Sequence, residues 1–291
     1  MKKPFVGFFP IKNENEIEKD NIVLVGLPYE GKKETKRGTK RFPSQLRKIS
    51  YLFSGISVNY NFNISNKRCV DLGDIHPIKN QKFIKNLWRI QEETNSKLLF
   101  IGGDHLITYY TVSQAPKEKN VGLIWFDAHL DLAKEYPKKT YFSHATVLYN
   151  LIEQKIFLPE QVLIIGGHGF THSQDEYDYW KSKNINLIRT ENIFKNMEKS
   201  IEKLEQFLSK YPRIYLSLDI DVIEQSFVPT VSCPEPFGFY PDQLIKFLSR
   251  IVPKSEYVDI VEGRITRTEN STARLICSLI FQIISFWDKK E

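Results

Sequence analysis

Eight short apolar runs that do not alternate constrain this chain more than any other feature of its sequence. They lie at residues 22–27, 68–72, 97–101, 121–126, 161–165, 185–188, 213–218 and 257–261. A strand with apolar side chains pointing both ways has to be covered on both faces. Amphipathic or polar stretches of helical length fall between them, at 84–95, 143–154, 193–209 and 240–251. Strand and helix in alternation predict an α/β chain: a three-layer α/β/α fold with a central, mostly parallel sheet of about eight strands. No repeat, low-complexity tract or Pro/Ser-rich linker divides the sequence, so residues 1–291 are read as one domain.

Ligands in open parallel sheets bind beyond the carboxyl ends of the strands. Three of the runs end there in polar clusters: Gly102, Gly103, Asp104 and His105; Asp127, Ala128, His129, Leu130 and Asp131; Ser217, Leu218, Asp219, Ile220 and Asp221. A fourth ends in Glu262. Each cluster has an ordinary reading when taken alone. Asp104 could cap a helix, His105 could be a satisfied structural histidine, and Asp219 with Asp221 could cap a loop. Asp127, His129 and Asp131 say more, because alternate positions at the end of a strand share one side of the chain. Together the clusters supply four aspartates and two histidines, and carboxylates buried at that density repel one another unless cations balance them. No Lys or Arg lies within the clusters. Two divalent ions meet the need, and mixed imidazole and carboxylate donors suit Mn2+ or Zn2+ better than Ca2+. A bridged pair of ions about 3.5–4 Å apart makes a hydroxide nucleophile at neutral pH, which favours hydrolysis over redox chemistry.

Composition excludes other classes. The formal charge of +6 comes from dispersed lysines, and the densest basic stretch, residues 32–47, belongs to no nucleic-acid-reading motif. No nucleic-acid partner is expected. Cys69, Cys233 and Cys277 are widely spaced and form no CxxC, which fits a reducing compartment. The sequence shows no signal peptide, and the late apolar stretch 275–287 is interrupted and too short to span a bilayer. The expectation is a cytoplasmic protein without a membrane partner.

In this order, the GGDH, DAHxD and SxDxD patterns resemble the ureohydrolase superfamily, the arginase and agmatinase family. The resemblance extends from Gly26 and the segment Arg37 to Arg47, through Asp71 and Asp74, to Thr272 and Arg274. Ser143 and His144, following the second pattern, read like the agmatinase branch. The resemblance implies that His105, Asp127, Asp131 and Asp219 hold one metal. It gives the other to Asp127, His129, Asp219 and Asp221, with Asp127 and Asp219 bridging. Mn2+ is the first choice, with Ni2+, Co2+ and Zn2+ as alternatives. The catalytic roles it implies are orientation of the hydroxide by Asp131, proton transfer or substrate contact by His144, and a guanidinium clamp by Glu262. Asp104 would orient a ligand. Such a site is net negative, which suits a cationic guanidino substrate cleaved to urea and an amine. The family also implies a homo-oligomer, a trimer or a hexamer.

The chain departs from the family pattern in four places, the first being Glu224 and Gln225 where an Asp-Pro pair is usual. Residues 230–234 lack two glycines usual in the loop after the third pattern, and Cys233 there could line the pocket or be a buried inert thiol. Arg264 and Ile265 replace a usual Asn-Pro pair. The polar residues with which arginases hold an α-amino acid head are missing between Asp131 and His144, which favours agmatine-like substrates over arginine. Guanidinobutyrase, formiminoglutamase, a deacetylase-like amide hydrolase and a non-catalytic metal-binding member are the alternatives. His76, His168 and His172 are read as structural or as pocket-rim residues.

Overall fold

The computed structural model describes all residues except 1–4, 6–8, 33–36, 116–119, 265–270 and 289–291. Its strands are β1 (Ile22–Leu27), β2 (Ile56–Ser57), β3 (Phe62–Asn63), β4 (Cys69–Asp74), β5 (Lys97–Gly102), β6 (Val121–Asp127), β7 (Val162–Gly166), β8 (Asn186–Arg189), β9 (Arg213–Asp219) and β10 (Ser255–Val261). Its helices are α1 (Phe42–Ser50), α2 (Gln81–Thr94), α3 (Leu106–Val112), α4 (Val147–Glu153), α5 (Gln174–Lys183), α6 (Thr190–Lys195), α7 (Met197–Lys210), α8 (Pro241–Ile251) and α9 (Ser271–Asp288). β2 and β3 pair as a small antiparallel ribbon, and the other eight strands form one sheet in the order β4-β1-β5-β10-β9-β6-β7-β8. Every pairing in that sheet is parallel.

The continuous runs take this place because successive side chains serve opposite cores. Leu24, Leu99, Ile124, Leu216 and Val258 join a cluster with α1, α6, α7, α8 and α9. Their neighbours Val23, Val25, Leu98, Leu123, Tyr215 and Tyr257 join a second cluster with α2, α3 and α4. The apolar stretch at 275–287 is the body of α9, which packs against α1 and α8. No helix among the described residues is long and apolar enough to cross a membrane.

Boundaries differ from expectation where side chains cap the backbone. The stretch 193–209 is two helices, α6 and α7, broken at Asn196, whose side chain accepts from Lys199 N at 2.9 Å. The stretch 143–154 opens as a 3-10 turn, His144–Thr146, before α4. The helices α1 and α3 are too short to stand out in the sequence, and the polar α5 carries too little apolar periodicity.

One charged anchor ties the N-terminal half of the sheet to α1. Arg47, 5% exposed, donates to both oxygens of Asp71 at 2.8 Å and also to Asp74. Asp71 additionally accepts from the backbone of Phe5 and Gly73. Burial opposes the Arg47 charge, but these two carboxylates outweigh it and raise the guanidinium above its usual value.

The chain moves from β5 past two vacant positions to β6, then returns to fill them with β9 and β10. The four central strands, β5, β10, β9 and β6, are thus the four whose ends carry the polar clusters. Their common direction brings those ends to one edge.

Candidate active site

At that edge Asp127, Asp219 and Asp221 each give one oxygen to the backbone and the other to the cluster. Asp127 Oδ1 accepts from His129 N at 2.7 Å, while its Oδ2 lies 3.0 Å from His105 Nδ1. Asp219 Oδ1 accepts from Asp221 N at 2.9 Å, and its Oδ2 is 3.2 Å from the same nitrogen. Asp221 Oδ1 accepts from Ala128 N at 3.2 Å, and its Oδ2 is 3.2 Å from His129 Nδ1. Asp131 Oδ2 is 3.2 Å from His105 Nδ1. The bonds of Asp127 and Asp219 to the backbone two residues on follow from the alternating spacing, whereas Asp221 reaches Ala128 across neighbouring strands.

His105 Nδ1 stands near three carboxylates yet is aligned for a hydrogen bond to none. Donors that converge without bonding one another are arranged about a common point. A six-coordinate ion with bonds of about 2.1 Å puts adjacent donors about 3.0 Å apart, close to the spacing found here. Three donor groups could hold ions among the described residues: His105 with Asp127 and Asp219, Asp127 with His129 and Asp221, and His129 with Cys233 and Glu235; Asp127 belongs to the first two. The oxygen and imidazole donors therefore fit a pair of divalent cations sharing a carboxylate.

Asp131 and Glu262 have φ of 51° and 62°. Left-handed backbone is unfavourable for residues with a side chain, and such strain collects at functional sites. At Glu262 it accompanies a bond from its own N–H to Gly103 O, while Oε1 accepts from His105 N at 2.8 Å. Gly103 lets the loop after β5 close against Tyr29, because a Cβ there would come within 1.7 Å of the Tyr29 carbonyl oxygen.

The cluster floors a cavity of about 270 Å³ whose walls include Tyr136, His144, His172, Glu176, Cys233 and Glu262. No Lys or Arg lines it among the described residues. Cys233 is a wall residue rather than a buried inert thiol. His144 meets Tyr136 edge-on with ring centroids 5.7 Å apart. His172 is also a wall residue, whereas His168 bonds Thr190 behind the wall and burial pushes it down to about 4. His76 packs edge-on against Tyr29. Asp104 Oδ2 accepts from Gly31 N at 2.5 Å and so anchors the neighbouring loop. The loop 230–233 is stitched to the end of β10: Thr230 Oγ1 donates to Arg264 O, Arg264 donates to Val231 O, and Arg264 Nε donates to Arg37 O. Ile265 and residues 33–36 of the basic stretch lie outside the described residues.

Several supporting residues escaped the sequence reading. His105 Nε2 lies 2.8 Å from Ser217 Oγ, which donates to the buried Asp259 at 2.6 Å. Trp125 stacks on His105 with centroids 3.9 Å apart and donates to Asp127 Oδ2. A carboxylate in the middle of an otherwise apolar strand was the available signal for Asp259.

Burial disfavours the charged form of His105 and His129, but the aspartates around each outweigh it and raise both well above the ordinary histidine value. Burial, and then neighbouring carboxylates, raise Asp131 and Asp219 well above theirs. For Asp127 burial works the same way, but the two imidazoles dominate and lower it. The metal-free cluster therefore holds protons near neutrality that cations must displace. Metal loading at pH 7 is expected to release on the order of one or more protons per chain, and affinity to fall as pH falls. Calorimetric titration with Mn2+ in buffers of different ionisation enthalpy checks this; a heat independent of buffer contradicts it.

Fold and site define a class, the hydrolases that act on C–N bonds of linear amidines. A family model described as the arginase family matches residues 20–285, and the chain belongs to that family. It is 26% identical over 278 residues to the agmatinase of Pyrococcus horikoshii, covering 92% of this chain and 93% of that one. The crystal structure of agmatine ureohydrolase of Thermoplasma volcanium matches with a TM-score of 0.85 at 24% identity, over 99% of this chain and 94% of that one. Trypanosoma cruzi formiminoglutamase with Mn2+ matches with a TM-score of 0.82 at 18% identity, over 100% of both chains. These likenesses fit the three-layer fold with its eight-stranded parallel sheet.

Proposed function

We propose that this chain hydrolyses an agmatine-like guanidino compound to urea and an amine, with two Mn2+ ions held by His105, Asp127, His129, Asp131, Asp219 and Asp221. The observation that carries the reading is a cavity floored by the convergent donor set, with Glu262 on its wall and no Lys or Arg lining it among the described residues. When bound, the ions would supply Lewis acidity and an attacking oxygen ionised at neutral pH. Glu262, its Oε1 fixed by His105 N, offers the guanidinium charge-assisted hydrogen bonds and turns the trigonal carbon toward the cluster. Asp131 accepts a hydrogen bond from the attacking oxygen and orients it. His144, on the cavity wall beside Tyr136, carries the proton to the departing amine. Ser217 and Asp259 hold the His105 ring in place from behind. A cytoplasmic homo-oligomer acting in polyamine metabolism is the setting this reading implies.

Glu262→Gln keeps the shape and removes the charge, so binding of a cationic substrate should weaken by about 1.5–3 kcal/mol while metal occupancy stays the same. The wild type should prefer agmatine to arginine, because the polar residues with which arginases hold an amino-acid head are missing between Asp131 and His144. Comparing kcat/KM for both substrates in both proteins tests the two claims. A preference for arginine refutes the specificity, and an unimpaired Glu262→Gln refutes the clamp.

A further inference from the structure

His129 turns its two ring nitrogens toward different surroundings. Nδ1 faces Asp127 and Asp221, each at 3.2 Å, and is the atom the proposed function gives to a metal. Nε2 is buried without a hydrogen-bond partner, and Glu235 Oε1 lies 3.7 Å from it. A neutral imidazole that gives one nitrogen to a cation carries its proton on the other, and a buried N–H with no acceptor is costly. Metal-bound histidines commonly meet this need with a carboxylate.

Glu235 is built for that place. It is 6% exposed, set between Pro234 and Pro236, and no Lys or Arg pairs with it among the described residues. Behind it the chain carries Gly169 at a φ of 89°, where a Cβ would come within 2.5 Å of Glu235 Oε2. A side chain there would push the carboxylate out of its seat. A movement of about 0.9 Å brings the Glu235 oxygen to hydrogen-bond length from Nε2. The other histidine is supported differently, through the hydroxyl of Ser217 and then Asp259. The two halves of the cluster therefore depend on separate residues.

We infer that Glu235 is a positioning residue: its carboxylate accepts the Nε2 proton of His129, fixes the ring and its tautomer, and so sets the metal affinity of the His129 half of the cluster. This rests on the binuclear reading above. Cys233 Sγ lies close to the same two side chains, so the competing possibility is a third cation held by His129, Cys233 and Glu235.

The test is titration of the metal-free full chain with Mn2+ against a competing chelator, for the wild type, Glu235→Ala, Glu235→Gln and Cys233→Ser. Glu235→Ala should weaken one of two equivalents by about 10–100-fold and leave the other unchanged. Glu235→Gln, which retains an acceptor oxygen, should recover part of the loss, and Cys233→Ser should bind as the wild type does. The metal-free melting temperature should be the same in all four. Two equivalents that ignore Glu235, or weaken alike with a lower metal-free melting temperature, would overturn this inference alone. A third equivalent that disappears in Cys233→Ser would also overturn it, in favour of the extra cation. Fewer than two equivalents in the wild type would overturn the binuclear reading and this inference with it.

Discussion

Asp127→Ala is expected to lose both metals and nearly all activity. The carboxylate belongs to two donor triads, and each of its oxygens faces a different histidine, at 3.0 Å and 3.2 Å. Removing it also takes away the acceptor that holds His129 N and the one that receives Trp125 Nε1. Without bound cations nothing would lower the attacking water's pKa toward neutrality, so kcat/KM should fall on the order of 10⁴-fold or more. His105→Ala removes a donor from one triad only and should cost mainly one ion. Elemental analysis and kcat/KM on the two variants check the contrast. Asp127→Ala retaining one firmly bound ion per chain would show that the carboxylate does not bridge.

Arg47→Met is expected to lower stability by about 3–5 kcal/mol, the range for breaking a buried ion pair from one side. The change leaves Asp71, fully buried at the edge of the sheet, without its bidentate partner, and leaves Asp74 without its guanidinium. The two backbone N–H groups that also reach Asp71 do not neutralise its charge. Replacing Arg47 and Asp71 together removes the fully buried charge and leaves unpaired only the part-exposed Asp74 and the two N–H groups, so Arg47→Met with Asp71→Leu should recover part of the loss. Denaturant unfolding of the single and double variants measures this. Equal destabilisation in both would mean that helix packing, and not charge, is what Arg47 contributes.

The primary structure alone determined the layered α/β/α fold and the cluster on the sheet edge. Both are written locally: a strand covered on both faces must be apolar at every position, and Asp127, His129 and Asp131 share a side because they alternate at the end of β6. What the tertiary structure decided lies where partners are far apart in sequence. His105 N meets Glu262 across 157 residues, and Ser217 Oγ meets Asp259 across 42. These contacts follow from β5, β10, β9 and β6 being neighbours in the sheet, an order that no local pattern encodes. Asp104 shows the same limit from the other side: it sits within a site motif, yet the fold points it at Gly31. Glu235 lies 3.7 Å from His129 in a space that Gly169, on a different loop, leaves for its carboxylate, and that space exists only once both loops are folded against the sheet edge.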